Sequence, residues 1–196
     1  MAEIEQDAGT HGAAAQVVKW LCAGVVLVVA AGTFAGARGC ESARVTRELR
    51  DGERVPVVIA GETFNLEAAL DDPARIRGLG GRATIEPKGG MVFVFPQAHR
   101  MEFLMRDCLA DIDIAFLDDG GRVLALHAMK VEPPRTAEEP VREYPNDPYE
   151  NRLKRYSSRF PSRVAVEFAG GTLARLGVKE GDKVSIDLAP LKARAR

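Results

Sequence analysis

The stretch DIDIAFLDDGGRVLALHAM, residues 111–129, constrains the fold more than any other part of the chain. Two apolar runs flank the tetrapeptide Asp118–Gly121. Aspartate and glycine tolerate the backbone conformations that a tight turn between antiparallel strands requires. The pattern therefore predicts a β-hairpin, and with it a domain built around a sheet.

The flanking segments carry further strand and helix signals. A β-branched run near residue 57 and a second run through Phe64 indicate a hairpin that turns at Gly61, and residues 91–95 form a compact strand ended by Pro96. One short helix is expected from Pro73, capped by Asp72, and another at 172–176. The fold class predicted is α+β. Its β-dominated core is a small barrel or sandwich of about seven to eight short strands with two short helices.

The N-terminal part has a different character. Residues 21–37 carry no charge, and with residues 17–20 the apolar stretch reaches about the 20 residues that span a bilayer as a helix. The sequence therefore predicts a signal or transmembrane helix at 17–37 and the membrane as a partner.

The orientation and fate of this helix stay open. The acidic start and the arginines after residue 37 favour a cytoplasmic C-terminal domain by the positive-inside rule. Translation from Val17 or Val18 would instead give the short basic start of a signal peptide. Cys40 after Gly39 resembles a lipoprotein cleavage site, so a lipid anchor is a further alternative.

These patterns divide the chain into segments. They are a polar tail (1–16), the signal or transmembrane segment (17–37), a tether (38–54), a globular domain (55–190) with a long proline-rich loop or flap (128–160), and a basic tail (191–196).

Composition argues against several functional classes. The net charge of −1 creates no field that would favour nucleic acid. The three cysteines are too dispersed for a disulfide scaffold, and the chain has neither a CxxC nor an HExxH motif. We therefore expect no nucleic-acid partner, no metal and no cofactor.

Asp113 is the carboxylate that most needs an explanation. It lies between Ile112 and Ile114 in an apolar strand, where a buried carboxylate must be paired. Arg77 and Arg106 are candidate partners, in a structural ion pair or at a polar binding point. His127 could act with Asp113 as a base, or Asp113 could hold a cation together with nearby aspartates.

A dense group of methionine, phenylalanine and leucine side chains precedes the hairpin. They could fill the core or line a hydrophobic cleft, and Phe103 and Met105 fit either role because they flank charged residues. Asp107 should raise the pKa of the adjacent Cys108, which disfavours a nucleophilic thiolate.

Four blocks in order carry a resemblance to a known family. They are RGL at 77–79, GMVFVF at 90–95, FLMR at 103–106 and DIAFLD at 113–118. The chain resembles the Domain of Unknown Function 192 family over about residues 55–188. Leu104, Asp107 and Cys108 stand where the family pattern has tryptophan, asparagine and threonine. Members of this family are often exported or membrane-tethered, so the resemblance implies export or membrane tethering for this chain.

Together these observations predict a membrane-tethered, extracytoplasmic binding or accessory module for a small-molecule, sugar or peptide ligand. It would reside in the cell membrane as a single-pass or lipid-anchored protein. The alternatives are a hydrolase that uses Asp113 with His127 or a bound cation, and a structural envelope protein without a ligand. No catalytic residue is assigned. The predicted binding residues are Arg77, Phe103, Met105, Arg106, Asp107 and Asp113.

Overall fold

The computed structural model describes residues 52–143 and 145–196. The predicted polar tail, the membrane segment 17–37 and nearly all of the tether lie outside the described residues. Within the described ranges, no helix has the length and apolar character needed to cross a bilayer.

The described residues form nine strands and four short helices. The strands are β1 (Arg54–Ile59), β2 (Glu62–Ala69), β3 (Met91–His99), β4 (Glu102–Phe103), β5 (Ile112–Leu117), β6 (Val123–Met129), β7 (Tyr156–Ser157), β8 (Ser162–Ala169) and β9 (Val184–Ser185). The helices are α1 (Asp72–Arg77), α2 (Pro148–Arg152), α3 (Thr172–Leu176) and α4 (Leu188–Lys192).

Seven strands form one curled sheet in the order β6-β5-β8-β3-β2-β1-β9, and β4 pairs with β7 in a separate two-stranded ribbon. All neighbours in the large sheet are antiparallel except β2 and β3. A backbone bridge between Arg122 and Lys183 brings the two outer strands together at one end. The sheet is therefore a half-barrel, and the prediction of a β-dominated core is confirmed.

The hairpin that dominated the sequence pattern is present as β5 and β6, with Ile112 opposite Met129. The side chain of Asp118 accepts hydrogen bonds from the backbone N–H groups of Gly120 and Arg122, both at 2.8 Å. The turn is thus closed by its own aspartate, as its composition indicates.

The central strands of the sheet are buried on both faces. One face builds a first core, which includes Phe64, Val92, Val166 and Phe168 and is covered by α3 and α4. The other face builds a second core, whose buried members are Ala69, Ala74, Leu79, Met91, Phe93, Met101, Met105, Ile112, Ile114, Phe116, Ala125, Met129, Tyr156 and Ala165. Successive residues of β5 and β8 therefore alternate between two cores rather than between core and solvent.

Two of the four helices were not expected from the sequence. Helix α2 lies within the segment predicted to be a flap, and α4 lies where the globular domain was expected to give way to the basic tail. Each has five residues and begins after an aspartate, Asp147 or Asp187, whose side chain accepts a backbone hydrogen bond. Such short helices leave too little periodicity to detect, and only the caps mark them.

The proline-rich segment is fastened to the domain. Asp147 is buried and receives two hydrogen bonds from the Arg135 guanidinium, at 3.0 and 2.8 Å. The buried Tyr149 ring lies under the guanidinium groups of Arg135 and Arg152, and its hydroxyl accepts a hydrogen bond from the backbone N–H of Asp107. The segment therefore fixes the position of the loop that precedes β5.

Candidate functional site

A cleft of about 270 Å³ opens over the second core. Its walls come from α1, the turn that follows it, the sheet, and the segment from β4 to Cys108. The lining residues are Asp72, Arg75, Ile76, Arg77, Gly78, Leu79, Gly80, Phe93, Phe95, Glu102, Phe103, Leu104, Met105, Arg106, Cys108, Ile112 and Glu167. This volume is at the small end of the range for ligand pockets.

Helix α1 supplies one polar side of the cleft. Its N-terminus is capped by Asp71 and not, as the sequence suggested, by Asp72, which is the first residue of the helix; Asp71 accepts a hydrogen bond from the Ala74 N–H at 2.9 Å. The Arg75 guanidinium donates to the Val94 carbonyl at 2.8 Å and to Asp72 at 2.7 Å, and it lies over the Phe95 ring. The Arg75 side chain is only 6% exposed, and its Nε has no hydrogen-bond partner in the structure.

Both arginines predicted from the sequence line the cleft, but they differ in whether the guanidinium is already paired. The Arg106 guanidinium is already paired, because it donates hydrogen bonds to Glu150 and to the Ile76 carbonyl, both at 2.6 Å. Arg77 is exposed, and its side chain makes no hydrogen bond or ion pair with any described residue. Arg77 is therefore a cation at the mouth that stays available to a ligand.

Aromatic rings form the apolar wall. Phe103, carried by β4, meets Phe93 edge-to-face with ring centroids 5.0 Å apart and Phe116 at 5.5 Å. Phe103 is half-buried, whereas Met105 is fully buried. The wall is thus a rigid edge of the core that is partly open to a ligand.

Glu167 lies at the floor of the cleft. In β8 it faces the second core, between Met91 of β3 and Ile114 of β5. It is 4% exposed, and its Oε2 has no hydrogen-bond partner in the structure. Burial raises the pKa of this carboxyl to about 8, and the more distant Arg82 only partly opposes that effect. Glu167 is therefore mostly protonated at neutral pH.

Cys108 lies beside this carboxyl. Burial raises the pKa of the thiol to about 11, and the charges of Glu167 and Asp107 act in the same direction. The thiolate, which is the reactive form, is therefore scarce at neutral pH. The expectation from the sequence that Cys108 is not an activated nucleophile agrees with this environment.

The structure brings together four of the six predicted binding residues. Arg77, Phe103, Met105 and Arg106 line the cleft. Asp107 does not line it: this residue has φ 53°, and its backbone bonds to Tyr149 and Gly81 hold the turn in place.

Asp113 lies away from the cleft. It is 2% exposed and accepts a hydrogen bond from the Leu173 N–H at 2.8 Å, at the start of α3. Because side chains alternate along β5, Asp113 faces the first core, whereas its neighbours Ile112 and Ile114 face the second. The partner of Asp113 is therefore the backbone of α3, and not Arg77 or Arg106 as the sequence suggested.

The same alternation separates Asp113 from His127. His127 lies opposite Ile114 in the hairpin, so it shares the face of Ile114. Its Nε2 lies 2.8 Å from the Ser157 carbonyl oxygen, and the ring packs against Phe116 and Tyr156. The two residues of the hydrolase alternative thus project from opposite faces of the sheet. Across residues 52–143 and 145–196, no cluster of three or more His, Cys, Asp or Glu side chains could hold a metal ion.

Glu167 was missed by the sequence analysis, although the signal was present. In RVAVEFAGG, residues 163–171, it stands between Val166 and Phe168, just as Asp113 stands between two isoleucines. Both acids interrupt apolar strands and both had to be buried. The sequence could not show that Asp113 has a backbone partner, whereas Oε2 of Glu167 has no hydrogen-bond partner within the described part of the chain.

Comparison with known proteins gives a family and two similar structures. The model of the family DUF192, described as "Uncharacterized ACR", matches residues 55–186. A crystal structure from Sinorhizobium meliloti, of a candidate transcription regulator, is 25% identical with a TM-score of 0.52, covering 68% of this chain and 92% of that one. A Novosphingobium aromaticivorans protein of unknown function is 27% identical with a TM-score of 0.53, covering 67% and 84%. The comparison with curated proteins gives no significant match.

Asp113→Ala should lower the free energy of unfolding by about 1–3 kcal/mol, because the Leu173 N–H is left buried without an acceptor. Asp113→Asn, which keeps an acceptor oxygen, should lose less. Chemical denaturation followed by circular dichroism measures both changes. Equal stability of the alanine and asparagine variants would contradict the capping role.

Glu167 should make the stability of the protein pH-dependent. The pKa of its carboxyl rises from 4.5 to about 8 on folding, so between these values the folded state holds a proton that the unfolded state has lost. The free energy of unfolding of the wild type, relative to Glu167→Gln, should therefore fall by about 1.4 kcal/mol per pH unit as pH rises through this window. Below the window the carboxyl is protonated in both states, and the difference should be constant. Denaturation curves of both proteins at several pH values measure this difference in the free energy of unfolding. A difference that stays constant through the window would refute the raised pKa of Glu167.

Proposed function

The chain belongs to the DUF192 family, which is uncharacterised, and we propose that its cleft makes it a binding module, tethered to the membrane with the domain on the extracytoplasmic side. The occupant is a small ligand with an apolar body. The ligand lies along the phenylalanine wall and reaches Glu167 with a polar group.

The observation that carries this proposal is the carboxyl of Glu167, buried in the cleft with no hydrogen-bond partner for Oε2. A buried polar group without a partner costs about 1–3 kcal/mol of stability. Arg75, in the same cleft, has a second such atom, its Nε. Two uncompensated polar atoms in one apolar cleft are what a binding site leaves open for its ligand.

Binding is better supported than catalysis. Cys108 lies next to the floor, but its raised pKa keeps the thiol protonated. The hydrolase alternative would need Asp113 and His127 together, and they project from opposite faces of the sheet. A purely structural envelope role gives no reason for an open cleft that ends at an unpaired carboxyl.

The membrane tether rests on the sequence. The uncharged stretch 21–37 is long enough, with the residues before it, for a bilayer-spanning helix. The extracytoplasmic location rests on the resemblance of 17–37 to a signal segment and on the exported character implied by the family resemblance. A domain held at the membrane surface could present its cleft to soluble or membrane-derived small molecules.

Deleting residues 17–37 should move the protein from carbonate-washed bacterial membranes to the soluble fraction, because the apolar segment is the proposed anchor. Deleting residues 1–16 is the control and should leave it in the membrane. Protease added to spheroplasts should digest the domain if it lies outside the cytoplasm. A full chain found in the soluble fraction, or protected from that protease, would contradict the tether or its orientation respectively.

The cleft is tested with three ligands that share a phenyl ring and a two-carbon chain: phenethylamine, phenethyl alcohol and hydrocinnamate. Calorimetry on the full chain in lipid nanodiscs should show a rise in Tm with at least one of them. A ligand at a hundredfold excess over its Kd stabilises by ~2.7 kcal/mol. Phe103→Ala should abolish the rise, because it removes the wall, whereas Phe160→Ala, an exposed ring outside the cleft, should keep it. No rise with any compound, or an undiminished rise in the Phe103 variant, would refute binding in the cleft.

A further inference from the structure

We propose that Glu167 receives the protonated amino group of the cleft's ligand, which makes the ligand an organic ammonium ion with an apolar body. This inference rests on the proposed function and specifies the chemical class of ligand that the cleft takes.

The first argument is what an isolated buried carboxyl can accept. A ligand carboxylate at the floor would keep the Glu167 carboxyl protonated, so the pair would share one hydrogen bond and no opposite charges. A hydroxyl offers one donor and no charge. An ammonium group offers three N–H donors and the opposite charge, so it compensates both oxygens of Glu167 and the burial of the ionised carboxylate.

The second argument is the aromatic and aliphatic character of the side chains that form the walls. Phe93 and Phe103 meet edge-to-face beside the cleft, and Ile112 and Leu104 extend the apolar surface. The faces of phenyl rings attract cations, and this attraction grows when water is excluded. The same rings cover the apolar body of an amine, so one wall serves both parts of the ligand.

The third argument is that the nearby cations are largely neutralised. Arg82, whose charge acts on Glu167 from the loop after α1, is held by both carboxylate oxygens of Glu67 at 2.7 Å. Cys108, the other titratable neighbour, is uncharged because its pKa is about 11. The floor of the cleft therefore has no competing cation of its own that satisfies Glu167.

The charged groups nearer the mouth fit the same assignment. Arg75 is paired with Asp72, and Arg106 with Glu150. Arg77 is exposed, so water and salt screen its repulsion of an entering amine. Glu102, also exposed at the mouth, adds a negative charge on the entry path.

Binding of an ammonium ion at Glu167 should release a proton to the buffer. At pH 7 the carboxyl of Glu167, with a pKa of about 8, holds its proton, and pairing with an ammonium ion ionises it. The amine itself stays protonated, so a proton is released to the buffer. Affinity should accordingly rise by about tenfold per pH unit up to the pKa and level off above it.

The experiment titrates the full chain in lipid nanodiscs with phenethylamine, phenethyl alcohol and hydrocinnamate, which differ only in the terminal group. Calorimetry at pH 7 in two buffers of different ionisation enthalpy measures both affinity and proton release. We expect phenethylamine to bind at least about tenfold more tightly than the other two, with close to one proton released.

Glu167→Gln keeps the shape of the side chain but cannot ionise, so the preference for the amine and the proton release should both disappear. Glu180→Gln, an acid paired with Arg159 away from the cleft, is the matched control and should keep both. The Tm of each variant shows that it is folded.

The outcomes separate the inference from the function on which it rests. Tighter binding of hydrocinnamate or of the alcohol, or a preference for the amine that survives in Glu167→Gln, overturns the ammonium assignment while binding in the cleft stands. No binding that depends on Phe103 by any of the three compounds overturns the proposed function itself, and the ligand class with it.

Discussion

The strict alternation of side chains along β5 and β8 is the constraint on which the rest of the structure depends. Both strands are buried on two faces, so each step of one residue moves a side chain from one core to the other. This places Phe168 in the first core and Glu167 beneath the cleft. It also places Asp113 on the face that contacts the backbone of α3, whereas His127 lies on the opposite face of the sheet. The location of the site is thus set by strand register, and a slip of one residue would exchange its members.

The cleft combines two arginines that are compensated with a buried carboxyl that is not. Its arginines at 75 and 106 are held by carboxylates and backbone carbonyls, which fixes the rim without a ligand. The carboxyl at the floor has only apolar neighbours in the strands on either side. The backbone just before β3 approaches the backbone of β8 closely at this point. Gly90 has φ 139°, and a Cβ there would lie 2.0 Å from the carbonyl oxygen of Glu167. A site prepared in this way loses little order on binding, because its walls already belong to the core.

Local chemistry explains which features could be predicted from the sequence. The β5–β6 hairpin was predicted because its turn is closed by residues adjacent in sequence, and α1 because aspartate, proline and glycine mark its ends. Phe103 and Met105 were identified because they flank charged residues, whereas Arg77 and Arg106 were chosen as partners of Asp113, which the structure does not bear out. The partner of Asp113 was not predictable, since it comes from sixty residues away. The Oε2 atom of Glu167 has no hydrogen-bond partner among the described residues, and a missing contact leaves no trace in a sequence. Nothing in the described residues bears on the segment at 17–37.

The position of β8 in the sheet has a consequence for how the chain is made. This strand joins the β5–β6 hairpin to β3, yet it comes after residue 160. While a growing chain lacks it, the two halves of the half-barrel have no strand between them and the floor of the cleft does not exist. Completion of the domain is therefore deferred until β8 has been made, because the long-range pairing must wait for that strand. Until β8 is in place, the edges of β3 and β5 that it joins have no strand between them.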